Sequence, residues 1–327
     1  MSADGGNKAV VAALSANLAI ALVKFGAFAL TGASSMLAEA IHSVADSGNQ
    51  VLLLVGGRRA KKDVTAEHPF GYGRERYIFG FIVAVVLFSV GGLFALYEAY
   101  HKWHELHLGH ADSLLDSRWW WVPLAVLGAA IVAEGLSFRT AVRESNRTRG
   151  RQTWVKFIRS AKAPELPVIL LEDFAALIGL VFAFAGIGLT LLTENGLFDV
   201  LGTALIGLLL VAVAVTLAIE TKSLLLGESA GPEVVRRIEQ ALAGTEGVER
   251  VIHMKTMHMG PEEILVAAKF GVRPTERAVE VAETIDRAEV AIRAAEPMVT
   301  SLYLEPDVYR EDYEPAPRPE RPAAAGH

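Results

Sequence analysis

The sequence has 327 residues, 52% of them hydrophobic, with a mean hydropathy of +0.35, which is too apolar for an ordinary soluble protein of this length. A net charge of −6 and a pI near 5.9 provide no electrostatic footprint for nucleic acid as a partner. Cysteine is absent, so disulfides and thiolate metal sites are excluded, and any metal must rest on His, Asp, Glu, backbone or water.

Six apolar runs of membrane-spanning length follow one another, at about residues 9–30, 36–56, 77–100, 119–141, 166–192 and 198–220. The first has no small-residue cleavage site at its end and leads straight into the second, so it reads as a retained span. The loop after span two carries Arg58, Arg59, Lys61, Lys62, Arg74 and Arg76. The loop after span four carries Arg139, Arg143, Arg147, Arg149, Arg151, Lys156, Arg159 and Lys162. The remaining loops hold only Lys102 and Arg118. The positive-inside rule then makes the two basic loops, and both termini, cytoplasmic. The absence of organelle signals points to a bacterial inner membrane.

The composition changes at about Gly227. Residues 232–243 read as an amphipathic helix, 248–257 and 264–272 as strands, 275–295 as a helix and 299–304 as a strand. Ile264, Val266, Ala268 and Phe270 alternate as a half-buried strand does. The order αββαβ predicts a small α+β domain with one antiparallel sheet. The expected organisation is a transmembrane domain over residues 1–226, a cytoplasmic domain over 227–307 and a disordered, Pro- and Ala-rich tail over 308–327.

Polar residues inside the apolar runs carry the functional signal. His42 and Asp46 are four apart and share one helix face. At about 1.5 Å of rise per residue, Asp46 lies roughly 18 Å from Arg58 and Asp173 roughly 17 Å from Lys162. Both carboxylates therefore fall near the middle of a hydrocarbon core about 30 Å thick. Asn17, Asn49 and Glu172 lie within about a turn of that level. A shared cation relieves the cost of several intramembrane carboxylates at once, and imidazole with carboxylate suits a divalent metal. An asparagine in a span ordinarily hydrogen-bonds between helices. Glu172 lies about 100° round the helix from Asp173, so it is a direct ligand or a supporting group. Glu134 either lines a vestibule or pairs with a surface base, and Lys24 reads as a snorkelling or interhelical group. His101, His104, His107 and His110 beyond span three form a weak metal-gathering face or a solvated loop.

These motifs resemble the cation diffusion facilitator family of divalent-metal/proton antiporters. The segment Ala38-Glu39-Ala40-Ile41-His42-Ser43-Val44-Ala45-Asp46 is similar to the family's second-helix ligand motif. His68-Pro69-Phe70-Gly71-Tyr72-Gly73-Arg74-Glu75-Arg76-Tyr77 resembles its segment entering span three. The six spans, the Leu224-Leu225-Leu226-Gly227-Glu228 exit and a small cytoplasmic domain repeat its order of parts. The resemblance implies a six-helix transmembrane bundle with a ferredoxin-like C-terminal domain, working as a homodimer in a lipid bilayer. It implies export of Zn2+, or of Mn2+, Fe2+ or Co2+, in exchange for protons, with no enzymatic activity.

The family pairs two ligands four apart on span two with two four apart on span five. His42 and Asp46 match the first pair and Asp173 matches one member of the second. Ile169 stands in the other position, and Leu171-Glu172-Asp173 resembles one branch of the family. The metal set so implied is His42, Asp46, Asp173 and Glu172, rich in oxygen and hence harder than a two-His site. Metal and protons compete for the same ligands, with an imidazole titrating ordinarily near pH 6.5. Pro164 and Pro167 break the entry to span five. In the C-terminal domain His253 and His258 fall on opposite sides of one strand and the third strand has no His, so that domain is expected to dimerise rather than to hold a full regulatory metal cluster. An intramembrane metalloenzyme is disfavoured, because no H-E-x-x-H pattern is present. The reading retained from another class is a membrane metal sensor or scaffold, which Ile169 favours.

Overall fold

A computed structural model describes residues 3–108 and 112–311. The chain divides into two compact units, one holding the chain up to Glu228 with His258–Glu262, the other holding Ser229–Met257 and the chain from Glu263.

Up to Glu228 the regular elements of the first unit are all helical. Its elements are α1 (Ala3–Thr31), α2 (Ser34–Arg59), α3 (Glu75–Val86), a π-helical segment Leu87–Leu93, α4 (Phe94–His107), α5 (Ser113–Asp116), α6 (Trp121–Arg149), α7 (Trp154–Ser160), α8 (Glu165–Thr193) and α9 (Leu197–Leu226). Among the described residues, four helical stretches are long and apolar enough to cross a membrane: Glu75–His107, Trp121–Arg147, Glu165–Thr193 and Leu197–Leu226. The first two expected spans fall outside that set. The described apolar part of α1, Asn17–Thr31, is shorter. The helix α2 has 26 residues, about 39 Å at the ordinary rise, which is ample length. Its apolarity is diluted by the polar residues that make it interesting, Glu39, His42, Asp46 and Asn49.

The chain turns from α1 into α2 at Gly32, whose φ of +66° belongs to the left-handed region. A side chain there would also strike Ser113. The third predicted span is one rod from Glu75 to His107, with a wide turn at Leu87–Leu93 that periodicity gave no hint of. Buried Leu87, Leu127, Val168, Leu180, Ile187, Leu210 and Leu217 form the bundle core. Between α8 and α9 the backbones come close where Gly186 meets Gly202. A Cβ added at Gly202 would lie 2.9 Å from the Phe182 carbonyl oxygen and 3.4 Å from the Gly186 Cα. Small residues allow such approach where lipid supplies no hydrophobic drive between helices. Gly202→Leu is therefore expected to destabilise the bundle by about 1–3 kcal/mol, the usual cost of overpacking, read as a lower thermal midpoint in detergent.

The second unit contains α10 (Pro232–Ala243), β1 (Arg250–Gly260) as far as Met257, β2 (Glu263–Gly271), α11 (Ala278–Ala295) and β3 (Val299–Asp307). The element order αββαβ is as expected. The sheet is not all antiparallel: its order is β1-β2-β3, and β2 runs parallel to β3, with Val266 opposite Leu302 and Ala268 opposite Leu304. The reason is α11, which carries the chain back across the sheet so that β3 starts at the same end as β2. Ile264, Val266, Ala268 and Phe270 are buried together against Ile238, Leu242, Ala288 and Ile292, the face their alternation indicated. The backbone N–H of Arg277 donates to the Glu280 carboxylate at 2.8 Å, which fixes the start of α11 three residues later than the expected boundary. Lys269 of β2 pairs Asp307 at 2.8 Å and Glu305 at 3.1 Å on β3. These hydrogen bonds raise the lysine above its ordinary pKa and lower that of Asp307. Of the expected tail over 308–327, residues 312–327 lie outside the described residues.

Candidate metal centre

The helix α2 presents one polar face. Glu39, His42, Ser43, Asp46, Asn49 and Gln50 follow the three-and-four spacing of a single stripe. Small buried Ala38, Ala40 and Ala45 flank the stripe and let neighbouring helices close in. His42 is 2% exposed, with its Nε2 3.3 Å from Asp46 Oδ2. The approach is close without being aligned as a hydrogen bond, and neither imidazole nitrogen has a hydrogen-bond partner. The Nδ1 faces Gly91 of the π-helical segment, 3.9 Å from where a Cβ would stand.

On α8 the neighbours Glu172 and Asp173 diverge as their 100° separation requires. Glu172 is buried and accepts from Asn49 Nδ2 of α2 at 2.7 Å. Asp173 is half-buried and accepts from Ser137 Oγ of α6 at 2.9 Å. Asn49 thus joins two helices, as intramembrane asparagine ordinarily does, and does so through a candidate ligand.

A cavity of about 120 Å³ brings these helices together. Asn17, Asp46, Glu134, Ile169, Glu172 and Asp173 are among the residues that line it. That volume accommodates a cation with part of its water shell. Glu134 is therefore a cavity residue rather than the partner of a surface base. Ile169 lines the same wall as the carboxylates, so the position four before Asp173 does face the site. A second cavity, towards the basic loops, shares Gln50 and Ile169 and is further lined by Leu53, Gly57, Arg58 and Glu165. His42 touches Asp46 but does not line the cavity. Among the described residues no three His, Cys, Asp or Glu side chains stand close enough to hold one ion together.

Two polar clusters were not anticipated from the sequence. Lys24 of α1, 1% exposed, pairs Glu39 of α2 at 3.0 Å and donates to Ser43 Oγ at 2.8 Å. It is an interhelical group, not a snorkelling one. The signal was available in Glu39, three residues before His42 and hence on its face. At the end of α2 away from the basic loops, buried Asp199 of α9 accepts from the backbone N–H groups of Ser34 at 2.9 Å and Ser35 at 3.3 Å, and from the Ser35 hydroxyl. Lys102 stands 3.7 Å from Asp199 and 2.9 Å from Asp112. Asp199 thus caps α2 from another helix, satisfying N–H groups that have no partner within it. Asp199→Ala is expected to destabilise the protein by about 0.5–2 kcal/mol, with Asp199→Asn closer to wild type, read by thermal unfolding in detergent.

The other histidines stay apart from this centre. His101 lies 3.9 Å from Glu105, His104 stacks on Tyr100 and His107 packs on Trp103. His110 lies outside the described residues. On β1, His253 is exposed and His258 buried, consistent with opposite faces.

Residues 10–226 match the family described as the cation efflux transmembrane domain. The chain is 33% identical over 258 residues to the mitochondrial proton-coupled zinc antiporter SLC30A9 of Mus musculus, covering 78% of this chain and 44% of that protein. It is 26% identical over 257 residues to metal tolerance protein C4 of Arabidopsis thaliana, covering 78% of this chain and 54% of that protein. The chain thus spans about half the length of these curated relatives. A solved MamM CTD in a nickel form matches 24% of this chain and 100% of its own at 22% identity, with a TM-score of 0.24.

Proposed function

The chain belongs to the cation efflux family, and from that premise we propose that it carries a divalent metal cation across a membrane in exchange for protons. Zn2+ is the foremost cargo, with Mn2+, Fe2+ and Co2+ also suited to the donors. The proposed ligands are His42, Asp46, Asp173 and Glu172. The protein works as a homodimer with six spans, its basic loops and both termini on the cytoplasmic side. The observation that carries this reading is the cavity lined by carboxylates from α2 and α8, beside a histidine whose nitrogens have no hydrogen-bond partner and whose Nε2 lies 3.3 Å from Asp46.

The residues divide the work. Asp46 takes the cation entering past Gln50 and Ile169 from the side of the basic loops. Asp173, steadied by Ser137, closes on it from α8. Glu172 keeps its bond to Asn49 and either remains there as a support or turns inward as a further ligand. His42 shifts from beside Asp46 to add a nitrogen. A small approach of α8 to α2 completes the set, and the spans then rearrange to expose it on the other side. Protons arriving there compete for imidazole and carboxylate, so metal binding weakens as pH falls and release is favoured on the acidic side.

The test is a reconstituted vesicle carrying an internal pH indicator. A Zn2+ gradient is expected to drive proton flux in the opposite direction, and Zn2+ uptake without counterflow of protons would overturn antiport. The second reading, a metal sensor or scaffold that keeps the fold without transport, is favoured by Ile169 in a ligand position. It predicts Zn2+ binding to the purified protein with no uptake into vesicles.

A further inference from the structure

The transport path, as far as it is open, lies on one side of His42. Its cavity residues are Asn17 on α1, Asp46 and Gln50 on α2, and Ile169, Glu172 and Asp173 on α8. Going away from the basic loops, each of these helices next reaches one cluster: Lys24 on α1, Glu39 and Ser43 on α2, and Gly179 on α8.

This cluster is closed and charged. Lys24 and Glu39 are 1% and 0% exposed. The ammonium of Lys24 uses all its donors, on Glu39 Oε2 at 3.0 Å, Ser43 Oγ at 2.8 Å and the Glu39 carbonyl oxygen at 3.5 Å. The carboxylate of Glu39 is not satisfied in return. Its Oε1 is buried with no hydrogen-bond partner and points at Gly179, 2.8 Å from where a Cβ would stand. A buried carboxylate oxygen without a partner is costly and calls for an explanation. An apolar pair would pack these helices at lower cost, since a buried ion pair is weak evidence for stability.

We propose that the Lys24–Glu39 pair is the gate on the side of the path away from the basic loops, and that Glu39 is the carboxylate a departing cation meets when the pair opens. The inference rests on the transport reading above. Lys24 is a tethered monovalent cation that occupies Glu39 while the far side is shut. When α1 and α2 separate, the ammonium leaves, and Glu39, one turn beyond His42, offers oxygen donors on the same helix face, with the Ser43 hydroxyl beside His42. Gly179 leaves room on α8 for Oε1 itself, which lies 2.8 Å from where a Cβ would stand. Protons entering from that side meet the same carboxylate first.

The discriminating variant is Lys24→Met combined with Glu39→Gln, which removes the pair without leaving one buried charge alone. Purified protein is assayed for Zn2+ binding and reconstituted for Zn2+-driven proton flux, with wild type alongside. The expected result is binding affinity within about threefold of wild type, because the cavity ligands are untouched, and flux reduced by about tenfold or more. Binding and flux both near wild type would overturn the gate and leave a packing pair. If the double variant fails to fold, Ser43→Ala removes one ligand of Lys24 without changing charge. Flux several-fold different from wild type with binding unchanged supports the gate, and unchanged flux overturns it. Absence of flux in wild type itself would instead sink the transport reading.

Discussion

On the proposed mechanism, Asp46→Ala and Asp173→Ala are each expected to reduce Zn2+-driven proton flux in vesicles to the level of protein-free liposomes. The two carboxylates come from different helices and line one cavity, so neither can replace the other. Loss of either leaves a partly coordinated cation in a low-dielectric setting, which costs affinity by about a hundredfold or more, or about 2.8 kcal/mol. Glu172→Gln is the internal comparison. Glu172 is held by Asn49 at 2.7 Å, so its loss is expected to cost about tenfold, in the range seen for groups that support ligands. Wild-type flux in either aspartate variant would remove the basis of the mechanism.

The second large effect is a gain. Ile169→His places an imidazole four residues before Asp173, on the wall of the same cavity. On the proposed ligand set the site would then hold two nitrogen donors and a second pair spaced by four. Zn2+ is better matched to imidazole, whereas Mn2+ favours oxygen, so the variant is expected to shift preference from Mn2+ towards Zn2+ by about tenfold, or about 1.4 kcal/mol. A competition series between the two ions on purified protein reads the shift directly. An unchanged preference would mean that residue 169 does not face the ion, and the ligand register on α8 would have to be redrawn.

Much of the centre was legible because it violates the rule of its surroundings. An ionisable group in an apolar run is expensive, and His42, Asp46, Glu172 and Asp173 stood out for that reason alone. The i,i+4 spacing then placed His42 and Asp46 on one face, as found. What spacing could not give was the rotation of one helix against another. It left open whether Glu172 meets the ion or a neighbour; the Asn49 contact between α2 and α8 gives it a neighbour. Lys24 and Glu39 were missed as a pair because their meeting depends on how α1 lies against α2, fifteen residues and one turn apart in the chain. Asp199 was missed because a cap supplied from another helix leaves no trace next to the helix it caps. The strand alternation of Ile264 to Phe270 gave the buried face of the sheet. Strand direction was misread because the crossover through α11 was not weighed against a hairpin.

The most direct test of the account is the position of the ion itself. Crystals grown with Zn2+ at alkaline pH should give an anomalous peak between α2 and α8, about 2.0–2.2 Å from a carboxylate oxygen of Asp46, an oxygen of Asp173 and a nitrogen of His42. A fully occupied peak elsewhere in the membrane region, with Asp46 and Asp173 left without metal, would contradict it.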